Sequence, residues 1–289
     1  MHFFSAAALS TDSVSLIPLV TFLKMNLTKT TSRLSLCFVT AMLLIAATTA
    51  SAQSALLLPP RTGYHFPSNL TLTYNVDWRV FTAGTATLHI ENDNDHAKIT
   101  ASADTIGAIN MLYPVIDRFQ SYFDPHTGCT SGFSKQTQEG RRKVNTELQM
   151  QYSQGRGLLN EKNLVSGTNK QQSFPLAGCA SDLLSGTFYA ASQPLRVGES
   201  FTFPIADGLR TVNITMKVEG REEVRTPLGL YKTVRVQPTA SAGVVKNRGS
   251  IWIWYTDDER HLPVQMRARL FWGTITFRLA ALESKEVSR

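Results

Sequence analysis

Three adjacent acids, Asp257, Asp258 and Glu259, follow two tryptophans, Trp252 and Trp254, in the stretch "SIWIWYTDDERHLP" at residues 250–263. Carboxylates beside aromatic platforms are what glycoside hydrolysis uses, one acid protonating the leaving oxygen while another activates water or attacks the sugar. Consecutive acids in a polar connection between two apolar runs are turn residues first, however, so the three form only a weak alternative catalytic set. Other chemistry is thinner. His65, His89, His96, His126 and His261 stand at no i, i+2 or i, i+4 spacing and have no Cys-x-x-Cys pair beside them, so no metal site is expected. There is no Gly-x-Ser-x-Gly nucleophile motif, and no cofactor is expected either.

The tryptophans pose the sharper question. In an extended chain Ile251, Ile253 and Tyr255 face one way and Trp252 and Trp254 the other, so this strand is apolar on both sides. Burying one tryptophan is worth about 4 to 6 kcal/mol, which leaving both in water would forgo. Three covers are open: core packing that includes a helix near 182–191, a bound apolar ligand, or stacking by Arg267 or Arg269 of the next strand. Trp252, Trp254, Trp78, Met266 and Phe277 are the ligand-binding candidates.

The elements that must position these side chains are strands. In "NLTLTYNVDWRV" Leu70, Leu72, Tyr74, Val76, Trp78 and Val80 share one face, and Thr71, Thr73, Asn75, Asp77 and Arg79 the other. The same split recurs at Ala86–Ile90, Val144–Tyr152, Val212–Val218, Val264–Leu270 and Ile275–Ala281. Turn-forming groups such as "ENDND", "DPHTG" and "SQGRG" separate the runs. Short connections imply antiparallel neighbours. The expectation is a mainly β protein: one antiparallel, strongly curved sheet or partly closed barrel of about a dozen strands, with one or two short helices. "CASDLLSGTFYAAS" predicts a helix with Ser181 as its N-cap and Asp182 in the first turn; "TIGAINMLYPVIDRF" is a weaker candidate that Pro114 would stop. Either could plug the barrel or lie across its open edge. Asp117-Arg118 and Arg221-Glu222-Glu223 read as surface or cross-strand ion pairs, and Asn69-Leu70-Thr71 and Asn213-Ile214-Thr215 match the glycosylation triplet.

Residues 1–52 read as an export signal. Lys29 and Arg33 precede an apolar run, Leu34–Ala47, and Ala50-Ser51-Ala52 is a small-residue cleavage site. The expected initiator is Met25, with cleavage after Ala52, a leader lacking regular structure at 53–67, one β domain at 68–283 and a tail at 284–289. The run is short for a membrane span, so no transmembrane anchor is expected after cleavage. Removing this segment lowers the net charge from +7 to about +5, a modest surplus without a dense basic block, and nucleic acid is not an expected partner. Cys129 and Cys179 remain, an even number bound for an oxidising compartment, and a disulfide between them is the default.

The blocks "YNVDWRVFTAGTATLHI", "YPVIDRFQSYFDPHTG", "CASDLLSGTFYA", "PLRVGESF", "VEGREEVRTPLGLYKTVRVQP" and "IWIWYTDDERHLPVQMRARLFWGTITFRLAAL" together resemble the bacterial exported family called domain of unknown function 3108, over about residues 68–282. The resemblance implies no established activity or catalytic residues. More distantly, the strand rhythm of the C-terminal part is similar to curved-sheet envelope proteins of the LolA, LolB and RseB type, in which an unclosed barrel shelters lipid chains or lipoproteins. The expected function is that of a periplasmic or secreted, non-enzymatic protein that binds an apolar or amphipathic envelope molecule, such as a lipid, within the sheet. An envelope glycan hydrolase and an assembly scaffold with an envelope protein partner are the alternatives.

Overall fold

The period-2 alternation becomes, in the computed structural model, a single antiparallel sheet of fourteen strands. The structure describes residues 56–93, 95–240, 249–271 and 273–284; the expected export signal and its cleavage site lie outside them. A first meander runs through β1 (Asn69–Trp78), β2 (Phe81–Asn92), β3 (Ala97–Thr105), β4 (Val115–Phe123), β5 (Thr130–Glu139), β6 (Arg142–Gln151), β7 (Arg156–Asn163) and β8 (Asn169–Pro175). A second runs through β9 (Ser200–Ala206), β10 (Thr211–Thr226), β11 (Gly229–Ala240), β12 (Ser250–Thr256), β13 (Pro263–Leu270) and β14 (Gly273–Ser284). Antiparallel pairing of β1 with β14 joins the two, leaving β8 and β9 as the edges.

The sheet does not close, yet it curls until its ends meet. Leu148, Leu159 and Phe174, from β6 to β8, share a buried cluster with Ala206 at the end of β9. Between the edges, Ser181 makes one parallel bridge to Ile205. Each strand turns one face inward, as its alternation requires: on β1 these are Leu70, Leu72, Tyr74 and Val76, all buried.

Two α-helices are present among the described residues, besides a single 3-10 turn at Tyr152–Gln154. α1 (Gly107–Leu112) stops before Pro114 and buries no residue, so it plugs nothing. α2 (Leu183–Ser192) links the two meanders and does lie inside. Its N-cap is Asp182 rather than the expected Ser181: the Asp182 carboxylate accepts the Leu184 and Ser185 N–H groups, and Ser185 returns a bond to the Asp182 N–H, closing a capping box. Ser181 is occupied otherwise, its hydroxyl donating to the Gly128 carbonyl at 3.1 Å. α2 buries Phe188, Tyr189, Ala190 and Ala191, and the Tyr189 ring packs 4.6 Å from that of Phe203.

The Cys129–Cys179 disulfide is formed, with the Cα atoms 5.2 Å apart, and ties the β4–β5 connection to the approach to α2. Residues 56–67 contain no helix or strand but are strapped across α2. The Leu58 N–H donates to Tyr189 Oη at 2.7 Å, the Arg61 N–H to the Ser192 carbonyl at 3.0 Å, and Phe66 is buried against Phe123.

Candidate functional site

All five ligand-binding candidates belong to one apolar cluster, with Trp254 buried in it and Trp78, Trp252, Met266 and Phe277 partly buried against it, although they leave their strands on two faces. Register pairs Val76 with Phe277, Trp78 with Ile275 and Met266 with Phe277, which puts Trp78, Met266 and Phe277 on the inward face with the main core. Trp252 and Trp254 leave β12 on the other face from Ile253, opposite Arg267 and Gln265. α2 does not cover them: it meets the Ile253 and Tyr255 side, where Tyr255 Oη donates to the Thr187 carbonyl at 2.9 Å. Their cover combines apolar packing with stacked arginines. The Arg267 guanidinium lies 5.3 Å from the Trp254 ring and that of Arg269 5.4 Å from the Trp252 ring. Trp254 Nε1 also donates to Glu222 at 2.8 Å, and Arg235 bridges Glu222 and Glu219 at 2.8 Å each. A Trp–Arg stripe thus runs across this face of β11, β12 and β13, with Trp254 buried and Trp252 partly buried.

The three acids after β12 do not face one another across a groove. Asp257 takes both its bonds from Arg221 Nε, at 2.9 and 3.1 Å. Asp258 accepts from Thr256 Oγ1 and Arg260; burial pushes its pKa up, but these bonds outweigh it and hold the carboxyl below the usual range. Glu259 lends its backbone carbonyl to Arg61. Together these bonds tie down a turn.

The unexpected chemistry is inside, on β4 and β5. Asp117 is fully buried, facing inward opposite Thr137, while Lys135 and Glu139 occupy neighbouring inward positions and are also buried. The expected Asp117–Arg118 pairing is corrected: adjacent residues of a strand point to opposite faces, and Arg118 binds Asp104 outside at 2.8 Å. Asp117 Oδ1 accepts the Gln138 N–H at 3.2 Å, whereas Oδ2 has no hydrogen-bond partner among the described residues. Lys135 Nζ sits 5.8 Å from the Phe119 ring, and Glu139 lies 3.9 Å from Arg142. Burial first, and the negative charge of Glu139 second, push the Asp117 pKa up to about 7.

Asp117 gives a pH signature. The folded state holds this proton more tightly than the unfolded chain, so its stabilising contribution is complete below about pH 4 and is lost as pH rises towards about 7. Stability measured by urea denaturation should fall across that window. Asp117→Asn should flatten the fall and leave the variant more stable at about pH 8, by on the order of 1–2 kcal/mol; an identical pH profile in the variant would remove Asp117 from this account.

Beside these charges the inner wall is aromatic and aliphatic. Phe119 and Phe133 stand with ring centroids 6.5 Å apart, and Leu88, Trp78, Phe277 and Met266 continue inward-facing positions across β2, β1, β14 and β13. All six remain partly exposed although they face the interior. No group of three or more His, Cys, Asp or Glu among the described residues is arranged to hold a metal ion.

Comparison with known proteins agrees with this architecture. Residues 73–280 match the model of a family described as protein of unknown function (DUF3108). The chain is similar to the crystal structure of a beta-barrel-like protein of domain of unknown function DUF1849 from Brucella abortus, with a TM-score of 0.54 at 9% identity over 76% of this chain and 99% of that one. A protein described as exported, with a YmcC-like fold, from Bacteroides fragilis matches with a TM-score of 0.32 at 9% identity, over 80% of this chain and 100% of its own. No curated protein matches the sequence. With the family model matching from β1 to β14, the chain belongs to the DUF3108 family of proteins of unknown function.

Proposed function

We propose that this protein is an exported, non-enzymatic binder of an amphipathic envelope molecule, held inside the curled sheet. One observation carries the reading: Trp78, Leu88, Phe119, Phe133, Met266 and Phe277 point inward and yet keep accessible surface. Apolar side chains of this size lose about 1.5–3 kcal/mol each by staying wet, a cost that an apolar chain lying along them would offset. Beside that wall lie the polar groups of Asp117, Lys135 and Glu139, themselves buried. The export signal read in the sequence supports an envelope location, and no helix among the described residues is long and apolar enough to cross a membrane.

Solvent extraction of the purified protein followed by mass spectrometry should recover a stoichiometric amphipathic molecule. The emptied protein should then take up a fluorescent fatty acid, and Phe119→Asp should weaken that uptake at least tenfold. A clean extract together with no uptake would refute the reading.

A further inference from the structure

The two ends of the sheet differ in chemistry. Because the strands follow one another up and down, the β13–β14, β1–β2, β3–β4, β5–β6 and β7–β8 connections all lie at one rim. Neighbouring tips there are pinned together: the Arg79 N–H donates to the Thr274 carbonyl at 2.9 Å, and the Ile106 N–H to the Ala83 carbonyl at 3.0 Å. From these tips Val80, Phe81, Met111, Leu112 and Phe271 project at 84, 67, 83, 82 and 101% exposure. Five large apolar side chains on adjacent connections form an exposed patch of the kind that marks an interaction surface.

Charge says which surface. Connections 79–80, 106–114, 140–141 and 164–168 contain Arg79 and Arg141 and no acid. At the opposite end, connections 93–96, 124–129 and 257–262 carry Asp93, Asp95, Asp124, Asp257, Asp258 and Glu259 against one arginine, Arg260, which is ion-paired with Asp258 at 2.7 Å. The molecule is therefore apolar and basic at one rim and acidic at the other. A bilayer with anionic headgroups matches the first rim in both respects, since exposed apolar tips insert at the headgroup boundary while arginines meet the lipid phosphates, and it repels the second.

We propose that the rim bearing Val80, Phe81, Met111, Leu112 and Phe271 docks this protein on an anionic membrane surface. The docking needs no occupant inside the sheet, so it stands or falls separately from the carrier reading. The test uses the processed protein recovered from an exporting host, its N-terminus read by mass spectrometry, in flotation with vesicles of phosphatidylcholine alone or mixed with phosphatidylglycerol. Binding is expected to the mixed vesicles, weakening with added salt. Phe81→Ser with Phe271→Ser should reduce it at least tenfold, Arg79→Glu with Arg141→Glu should abolish its dependence on phosphatidylglycerol, and Leu183→Ser, an exposed leucine at the other end, should leave it unchanged. Near-ultraviolet circular dichroism would establish that each variant is folded. Absence of flotation by the native protein, equal flotation by the serine variant, or a self-associated native protein that the serine variant turns into monomers would each overturn the proposal, the last by assigning the rim to contacts between copies.

Discussion

Replacing Asp182 by alanine should cost about 3–5 kcal/mol of folding stability, read as a lowered urea midpoint at unchanged m-value. The carboxylate accepts five hydrogen bonds: from Leu184 N–H at 2.7 Å, Ser185 N–H at 3.2 Å, Thr130 Oγ1 at 2.7 Å, Ser185 Oγ at 3.0 Å and Ser121 Oγ. It is fully buried, so none of these donors can turn to water when it is removed. Loss of the cap alone would cost about 1 kcal/mol. The remainder comes from orphaned donors on β4 and β5, because Asp182 attaches the inner helix to the sheet as well as starting it. Burial pushes its carboxyl pKa up, against the pull of these bonds. Asparagine keeps one acceptor oxygen and should lose less than alanine. A loss below about 1 kcal/mol for alanine would show that the network contributes little beyond an ordinary cap.

Opening the Cys129–Cys179 bridge should be nearly as damaging. The linked residues are 50 apart in sequence, and closing a loop of that length lowers the entropy of the unfolded chain by an amount worth about 4 kcal/mol. Reduction, or Cys129→Ser with Cys179→Ser, should therefore lower the urea midpoint clearly, and an unchanged midpoint after confirmed reduction would contradict the estimate. The bridge and the Asp182 network hold the same junction: the Thr130 N–H donates to the Ala180 carbonyl at 2.9 Å, between the half-cystine and the cap. Combining the serine pair with Asp182→Ala should thus cost less than the two losses added, since the second change acts on a junction already loosened.

Much of this architecture is legible in the sequence because a half-buried strand must alternate. Leu70, Leu72, Tyr74 and Val76 announce both β1 and its inward face, and turn residues mark the hairpins. Alternation fails as a guide where both faces are apolar. On β12 it separates the tryptophans from Ile253 and Tyr255, but which side is the interior depends on where α2 lies, a long-range fact. It fails again where the inward face is polar. Lys135, Thr137 and Glu139 read as solvent-facing until the curl of the sheet places them inside, so the charged strip on β4 and β5 escapes a reading based on hydrophobicity. One signal was available: Asp117 and Arg118 are consecutive in a strand and cannot share a face. Likewise Ser181 and Asp182 are both good caps, and only the bond of Ser181 to Gly128 decides between them.

The pairing of β1 with β14 differs from every other strand pairing among the described residues, since all the rest join neighbours along the chain. Each meander can zip up locally and early, whereas the seam must wait for partners separated by nearly the whole described sequence. A chain threaded across a membrane from its N-terminus would emerge with β1 lacking its final neighbour until the last segment arrived. Premature termination before Gly273 would leave both β1 and β13 with unpaired backbone, ready to add a strand from another molecule. The C-terminal segment is therefore the latch of this protein, and its late arrival sets the interval during which an unfinished chain needs protection.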